Sequence, residues 1–216
     1  MGTIAARLKG EHGATSAETL SAVRNTAAEG TVVLDVNLRS PWYSPEMVLG
    51  LARGEDDKRL ALLKVNEEEL SVLAGWCGLE AGFEGDDGLT GPSLRRRMEG
   101  LAASLNSERV CVTRGGDGAA LLCTNDSENG DGSLFCENPG RRLASRVNDA
   151  DTVGAGDAFL AALVNSLLVL GEGPERALER ACALGGYVAG CRGATPEHGD
   201  APEELRNAFS PFAARL

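Results

Sequence analysis

The chain has 216 residues, 43% of them hydrophobic, and a formal net charge of −11. This length suggests one domain, or one and a half, with a sizeable core, which should be aliphatic because aromatic residues make up only 4%. The acidic balance argues against general binding to nucleic acid or to an anionic membrane, since both require a basic surface. No apolar run approaches the roughly 20 residues that span a bilayer, and the start, MGTIAARLKGEHG, lacks the apolar segment of a signal peptide.

Cysteine and histidine usage narrows the chemistry further. The six cysteines form no C-x-x-C pair and no zinc spacing, so we expect reduced, buried thiols in a cytoplasmic protein. With only two histidines, His12 and His198, a histidine metal site or a Ser–His triad has no basis.

Short apolar runs alternate with helical patterns along the chain, which predicts an α/β protein with a mostly parallel sheet. The predicted strands are 1–6, 31–36, 60–65, 109–113, 119–123 and 134–136. The predicted helices are 16–28, 45–54, 67–74, 93–105, 158–170, 174–191 and 202–216. Loops are expected at 77–92 and 124–133, which are glycine-rich and polar.

Residues 151–159 read DTVGAGDAF and precede an apolar helical run. Gly154, Ala155 and Gly156 therefore stand at a helix N-terminus, where unpaired N–H groups and the helix dipole favour an anion such as phosphate. Asp157 then places a carboxylate in the first turn. It is either a stabilising first-turn acid beside a tight glycine turn, or a general base that takes a proton from a hydroxyl attacking a phosphoryl group.

Polar residues also follow two predicted strands, at the strand ends where α/β proteins gather ligands. Asp35, Asn37 and Arg39 occur in DVNLR, which is either a ligand-binding segment or a loop with a capping asparagine. Asn66 and Glu69 have the spacing of a capping box, and Asn66 can form this cap while Glu69 faces a metal through water.

Two further segments have alternative interpretations. Residues 113–118 form a turn between strands, either a simple Gly-Asp-Gly hairpin or a ligand-contacting loop in which Arg114 is free to reach phosphates. The helix at 174–191 is lined by Ala, Gly and Cys, so it either packs tightly on another helix or borders a flat ring.

The string DTVGAGDAF resembles the C-terminal signature of the ribokinase-like, or PfkB, carbohydrate kinases, whose pattern is close to D-T-x-G-A-G-D-x-F. The resemblance implies a three-layer α/β/α fold and an ATP-dependent transfer of the γ-phosphate to a hydroxyl of a sugar or sugar-like alcohol. It implies that Asp157 is the catalytic base and that Gly154, Ala155 and Gly156 form the anion hole.

Other segments resemble further motifs of that family, and their roles are implied by the resemblance alone. DVNLR is similar to an element near the sugar, NEEE to an N-x-x-E motif that organises Mg²⁺, and TRGGDG to a T-x-G-x-x-G element at the nucleotide. The implied contacts are Asp35, Asn37 and Arg39 to substrate; Asn66 and Glu69 to Mg²⁺; Asp151 to a monovalent cation such as K⁺; and Thr113, Gly115, Gly118, Cys182, Gly193 and Ala194 to ATP.

The resemblance covers the chain from Met1 to about Pro196 and aligns with the C-terminal two-thirds of a typical member. We therefore expect one incomplete kinase domain over 1–216, lacking the N-terminal part that supplies the lid and most sugar contacts. The alternative is a weak or inactive kinase-like fragment that binds nucleotide or a partner, and a homodimer stays open. A dinucleotide-dependent oxidoreductase is disfavoured because no G-x-G-x-x-G follows the first strand.

Overall fold

The computed structural model describes residues 30–41, 43–53, 59–79, 91–124, 132–140, 151–197, 201, 203 and 205–206. The strand predicted at 1–6 and the helix predicted at 16–28 lie outside the described residues. So do most of the helix predicted at 202–216 and most of both predicted loops.

The described part of the chain combines a five-stranded sheet with helices, which confirms the predicted α/β class. The helices are α1 (Pro45–Arg53), α2 (Glu67–Trp76), α3 (Gly91–Ser104), α4 (Ala155–Val164) and α5 (Pro174–Ala189). The strands are β1 (Val33–Asp35), β2 (Leu62–Asn66), β3 (Arg109–Thr113), β4 (Ala119–Cys123) and β5 (Leu134–Asn138). A 3₁₀ turn occupies Gly115–Asp117, and a π-helical turn, Asn165–Val169, continues α4. The helix predicted at 158–170 therefore begins three residues earlier and does not stay α-helical to its end.

One five-stranded sheet has the order β1-β2-β3-β4-β5. The pairs β1–β2 and β2–β3 are parallel. The neighbours β3 and β4 are joined by residues 114–118 alone, a connection too short for a parallel crossover, so this pair is antiparallel and the sheet is mixed.

The chain divides into two compact units, and the first comprises Met1–Thr113 with Leu121–Phe135. Strand β2 is buried along its apolar run because a parallel strand with both faces covered needs no polar side. The core of this first unit is aliphatic, as the composition predicts. The largest fully buried side chains are Leu34, Leu51, Leu60, Leu62, Leu63, Leu70, Leu73, Leu94, Met98, Leu101 and Leu105.

The second unit comprises Arg114–Ala120 with Cys136–Leu216, and the pair α4–α5 is its largest described part. A Cβ on Gly185 would lie 2.9 Å from Phe159 Cβ and 3.2 Å from the Ala155 carbonyl oxygen. At this position a small residue is therefore needed for close helix packing. This agrees with the first of the two interpretations of the helix predicted at 174–191, in which it packs tightly on another helix. No helix in the described part of the chain is long and apolar enough to cross a membrane.

Candidate active site

The N-terminus of α4 leaves the backbone donors of its second and third residues unused within the described part of the chain. Gly154 is the N-cap, in the left-handed region at φ 79°. The Ala155 N–H donates to the Thr152 carbonyl oxygen at 3.2 Å, and the Ala158 N–H donates to the Gly154 carbonyl oxygen at 2.9 Å. Between them, the N–H groups of Gly156 and Asp157 have no acceptor among the described residues. These two amides, at the positive end of the helix dipole, can hold an anion.

A second predicted segment packs directly against this helix end. A Cβ on Gly154 would lie 2.7 Å from the Cα, the Cβ and the carbonyl oxygen of Ala194. The Asp151 carboxylate joins the same two segments, because it accepts from the Val153 N–H at 3.0 Å and from the Gly193 N–H at 3.3 Å. The structure thus brings the 151–156 turn together with Gly193 and Ala194.

Asp157 is exposed and has no hydrogen-bond partner among the residues that the structure describes. Its position in the first turn of α4 places it next to the two unused amides. A carboxylate that is accessible and not committed to another group can accept a proton from a bound hydroxyl. The geometry therefore permits a base beside an anion-holding helix end.

The turn at 114–118 is held against the end of β5. Gly118 has φ 87°, and a Cβ there would overlap the backbone of Asn138, Pro139 and Gly140. The Arg114 guanidinium donates to the Glu137 carboxylate at 2.9 Å, with the Arg114 side chain 10% exposed. Arg114 is therefore not free to reach phosphates, and that sequence expectation was wrong.

Cys182 on α5 is buried, and this burial raises the pKa of its thiol to about 11. The Arg114 charge partly opposes this rise in the pKa. At neutral pH the Cys182 thiol is therefore uncharged, which does not suit a nucleophile.

In the first unit, Asn66 and Glu69 form the capping box that the sequence predicts. The Asn66 side chain accepts from the Glu69 N–H at 2.8 Å, and the Glu69 carboxylate accepts from the Asn66 N–H at 2.9 Å. The other carboxylate oxygen of Glu69 accepts from the Leu38 N–H at 2.7 Å. Glu69 is buried, with 5% of its surface exposed.

These contacts bear on whether Glu69 fits Mg²⁺. Both of its oxygens already accept backbone N–H groups, and Mg²⁺ usually keeps several waters, which need open surface. Among the described residues no group of three or more His, Cys, Asp or Glu could hold a metal ion. Direct ligation by Glu69 therefore does not fit this geometry.

The DVNLR segment shows a partner that the sequence analysis missed. The Lys64 ammonium donates to both oxygens of the Asp35 carboxylate, at 3.0 and 3.1 Å, and both residues are buried. They are register partners on β1 and β2. Beyond them, Asn37 adopts a left-handed conformation at φ 42° and Arg39 is exposed. A lysine inside the apolar run LALLKV was the available signal, because a buried lysine requires a partner.

The sequence-predicted residues divide between the two units. Asp35, Asn37, Arg39, Asn66, Glu69 and Thr113 belong to the first; Gly115, Gly118, Asp151, Gly154, Ala155, Gly156, Asp157, Cys182, Gly193 and Ala194 belong to the second. Thr113 ends β3, where its hydroxyl donates to the Val65 carbonyl oxygen at 3.4 Å.

Comparison with models of protein families identifies one family that matches most of the chain. The model of the pfkB family of carbohydrate kinases matches residues 12–199. A search of the curated proteins found no match.

Solved structures match across most of the chain. Phosphofructokinase-2 from Escherichia coli has a TM-score of 0.60 at 20% identity, over 92% of this chain and 53% of that one. Aminoimidazole riboside kinase from Salmonella enterica has a TM-score of 0.60 at 23% identity, over 97% and 61%. Ribokinase from Thermotoga maritima has a TM-score of 0.55 at 19% identity, over 92% and 53%. The chain thus has their α/β fold and spans between 53% and 61% of their lengths.

Proposed function

Because the chain belongs to the pfkB family of carbohydrate kinases, we propose that it transfers the γ-phosphate of ATP to a hydroxyl of a sugar or sugar-like alcohol. The observation that carries this proposal is the N-terminus of α4. There an exposed carboxylate, Asp157, adjoins backbone N–H groups that have no acceptor among the described residues. Phosphoryl transfer needs mainly these two things: a group that accepts the hydroxyl proton, and fixed donors for the charge on the phosphoryl oxygens.

In this mechanism Asp157 accepts the proton of the attacking hydroxyl. In the anion hole predicted at Gly154, Ala155 and Gly156, the Ala155 N–H already donates to Thr152. The N–H groups of Gly156 and Asp157 are therefore the donors that would hold the phosphoryl oxygens. Gly154 allows this because its bare Cα lets the helix end approach Ala194. Asp151 fixes the turn by accepting two backbone N–H groups.

The nucleotide would contact the 113–118 turn, Cys182 and the Gly193-Ala194 turn. The neutral Cys182 thiol suits an apolar face of the base. Mg²⁺ would arrive bound to the nucleotide phosphates and would neutralise part of their charge. A monovalent cation near Asp151 is a further part of the proposal, and a structure of the Escherichia coli phosphofructokinase-2 in complex with potassium is among the matches.

The test is phosphotransfer from MgATP to a panel of ribose, fructose, adenosine and aminoimidazole riboside. We expect Asp157→Asn to lower turnover by about 10²–10⁴-fold, the usual contribution of a general base, with ATP affinity little changed. Glu179→Gln, an exposed acid on α5, is the matched control and should keep wild-type turnover. Equal turnover of Asp157→Asn and wild type would exclude the base assignment.

A second candidate function follows from the length comparison. The chain spans 53% of phosphofructokinase-2 and 61% of aminoimidazole riboside kinase. A kinase-like fragment that binds nucleotide or a partner, with weak or no turnover, is compatible with that coverage. Calorimetric titration with MgATP separates the two candidates: binding without transfer to any acceptor supports the second, and no binding contradicts the nucleotide site itself.

A further inference from the structure

We propose that Lys64 and Glu69 are positioning residues that hold residues 35–39, here called the acceptor segment, and that Glu69 does this in place of organising Mg²⁺. The proposal rests on the proposed function, and on the substrate contacts of Asp35, Asn37 and Arg39 that the family resemblance implies. It assigns a role to Lys64, which no motif marks, and a different role to Glu69 from the one that its N-x-x-E motif implies.

Glu69 holds the middle of the acceptor segment through the backbone. Its Oε1 accepts from the Leu38 N–H at 2.7 Å, a contact between residues 31 positions apart. Its Oε2 accepts from the Asn66 N–H at 2.9 Å, which fixes the carboxylate relative to the start of α2. Hydrogen bonds to an ionised carboxylate are short and about twice as strong as those between neutral groups. The side chain is thus a bridge from α2 to the acceptor segment.

The hydrogen bond from Leu38 to Glu69 affects the path of the acceptor segment, because Leu38 follows a residue with a left-handed backbone conformation. The preceding residue, Asn37, has φ 42°, a left-handed conformation that Asn tolerates better than most residues. Asn37 thus sets an unusual backbone conformation just after β1, and the Glu69 bond fixes the next peptide. The direction in which the chain leaves toward Arg39 therefore depends on a buried carboxylate.

Lys64 holds the other end of the same segment. Its ammonium donates to both Asp35 oxygens, and the two side chains are 8% and 11% exposed. Asp35 is therefore committed to β2 rather than to a ligand. This leaves Asn37 and Arg39 as the substrate-facing candidates, on a segment tied at Asp35 by one side chain and at Leu38 by another.

The first test needs no substrate, nucleotide or metal. Hydrogen exchange of the Leu38 amide should become about 10- to 100-fold faster in Glu69→Ala, the range for losing a hydrogen bond to a charged group. Glu68→Ala is the matched control, an exposed residue in the same helical turn, and should leave that amide unchanged. Glu69→Gln keeps the shape and one acceptor oxygen, so it covers the case in which Glu69→Ala fails to fold. Unchanged Leu38 exchange in both Glu69 variants would overturn the proposal.

The second test uses MgATP and whichever acceptor of the panel the wild type phosphorylates best. Glu69→Gln should raise the KM for acceptor more than it lowers kcat, with the Mg²⁺ concentration at half-maximal rate unchanged. Lys64→Arg should stay near wild type, whereas Lys64→Met should raise the acceptor KM. A shift of the Mg²⁺ midpoint in Glu69→Gln without a change in acceptor KM would overturn the assignment. If the wild type transfers no phosphate, the proposed function fails, and the exchange test still decides whether Glu69 holds the segment.

Discussion

Replacing Gly154 by alanine tests how the helix end at the candidate site is built. Two costs arise there. The φ of 79° is unfavourable for a residue with a Cβ, and the added Cβ would lie 2.7 Å from the backbone of Ala194. Because two of the nearest atoms are a Cα and a carbonyl oxygen, rotation of a side chain cannot relieve the overlap. Either the 151–154 turn or the 193–195 turn must shift.

Gly171→Ala separates these two costs. Gly171 has φ 65° in the same unit, and nothing lies within 4 Å of its added Cβ. The left-handed conformation costs about 1–2 kcal/mol for a non-glycine residue. Alanine also lowers the conformational entropy of the unfolded chain, which offsets about 0.4–1 kcal/mol of this cost. We therefore expect Gly171→Ala to destabilise by about 1 kcal/mol. Overpacking adds about 1–3 kcal/mol, so Gly154→Ala should lose about 2–4 kcal/mol.

Urea unfolding followed by circular dichroism measures the difference, since an unchanged slope with a lower midpoint reports lost stability. ATP affinity provides the functional readout. It should fall in Gly154→Ala, because the amides of Gly156 and Asp157 move with the helix end. In Gly171→Ala the ATP affinity should stay at the wild-type value. Equal free energies of unfolding for the two variants would refute the argument, since the Ala194 contact would then carry no cost.

Further predictions concern buried groups. Lys64→Met should destabilise by about 3–5 kcal/mol in thermal unfolding because it strands the Asp35 carboxylate, and a double variant with Asp35→Leu should recover most of this; no recovery would contradict the pairing. Gly118→Ala should lower the melting temperature because its Cβ overlaps backbone, whereas Gly116→Ala, with nothing within 4 Å, should be nearly neutral; equal losses would contradict this. Burial raises the pKa of the Cys182 thiol from 9.0 to about 11. The unfolded chain therefore releases that proton first, and stability should fall between about pH 9 and 11, less steeply in Cys182→Ala; equal slopes would contradict it.

Features set by neighbouring residues could be predicted from the sequence. The capping box needs only Asn66, Glu69 and the three-residue spacing between them, and both of its hydrogen bonds are present. Strand β3 has the predicted bounds, because RVCVT is a short β-branched run between polar residues. Helix α5 begins at Pro174, whose ring fits the first helical position.

Features set by distant residues could not be predicted. The Lys64–Asp35 and Glu69–Leu38 contacts join positions 29 and 31 apart, and no local pattern encodes which strand register or loop path brings them together. Arg114 illustrates the same limit, since its partner Glu137 lies 23 residues away. The π-helical turn after Val164 was also missed, because the run from Ala158 to Leu170 is almost wholly apolar and contains no glycine or proline to mark a change of helix type.

The acidic residues of the motifs differ most in the hydrogen bonds and ion pairs that their carboxylates already form within the protein. Asp35 is paired with a lysine, Glu69 accepts two backbone N–H groups, and Asp151 accepts two more. A carboxylate engaged in this way stabilises its own loop, and using it as a base or ligand would require those bonds to break. Asp157 is exposed and lacks any such partner among the described residues. The availability of a carboxylate therefore matters as much as its motif, and by that criterion Asp157 is the residue that we propose for the proton-accepting role.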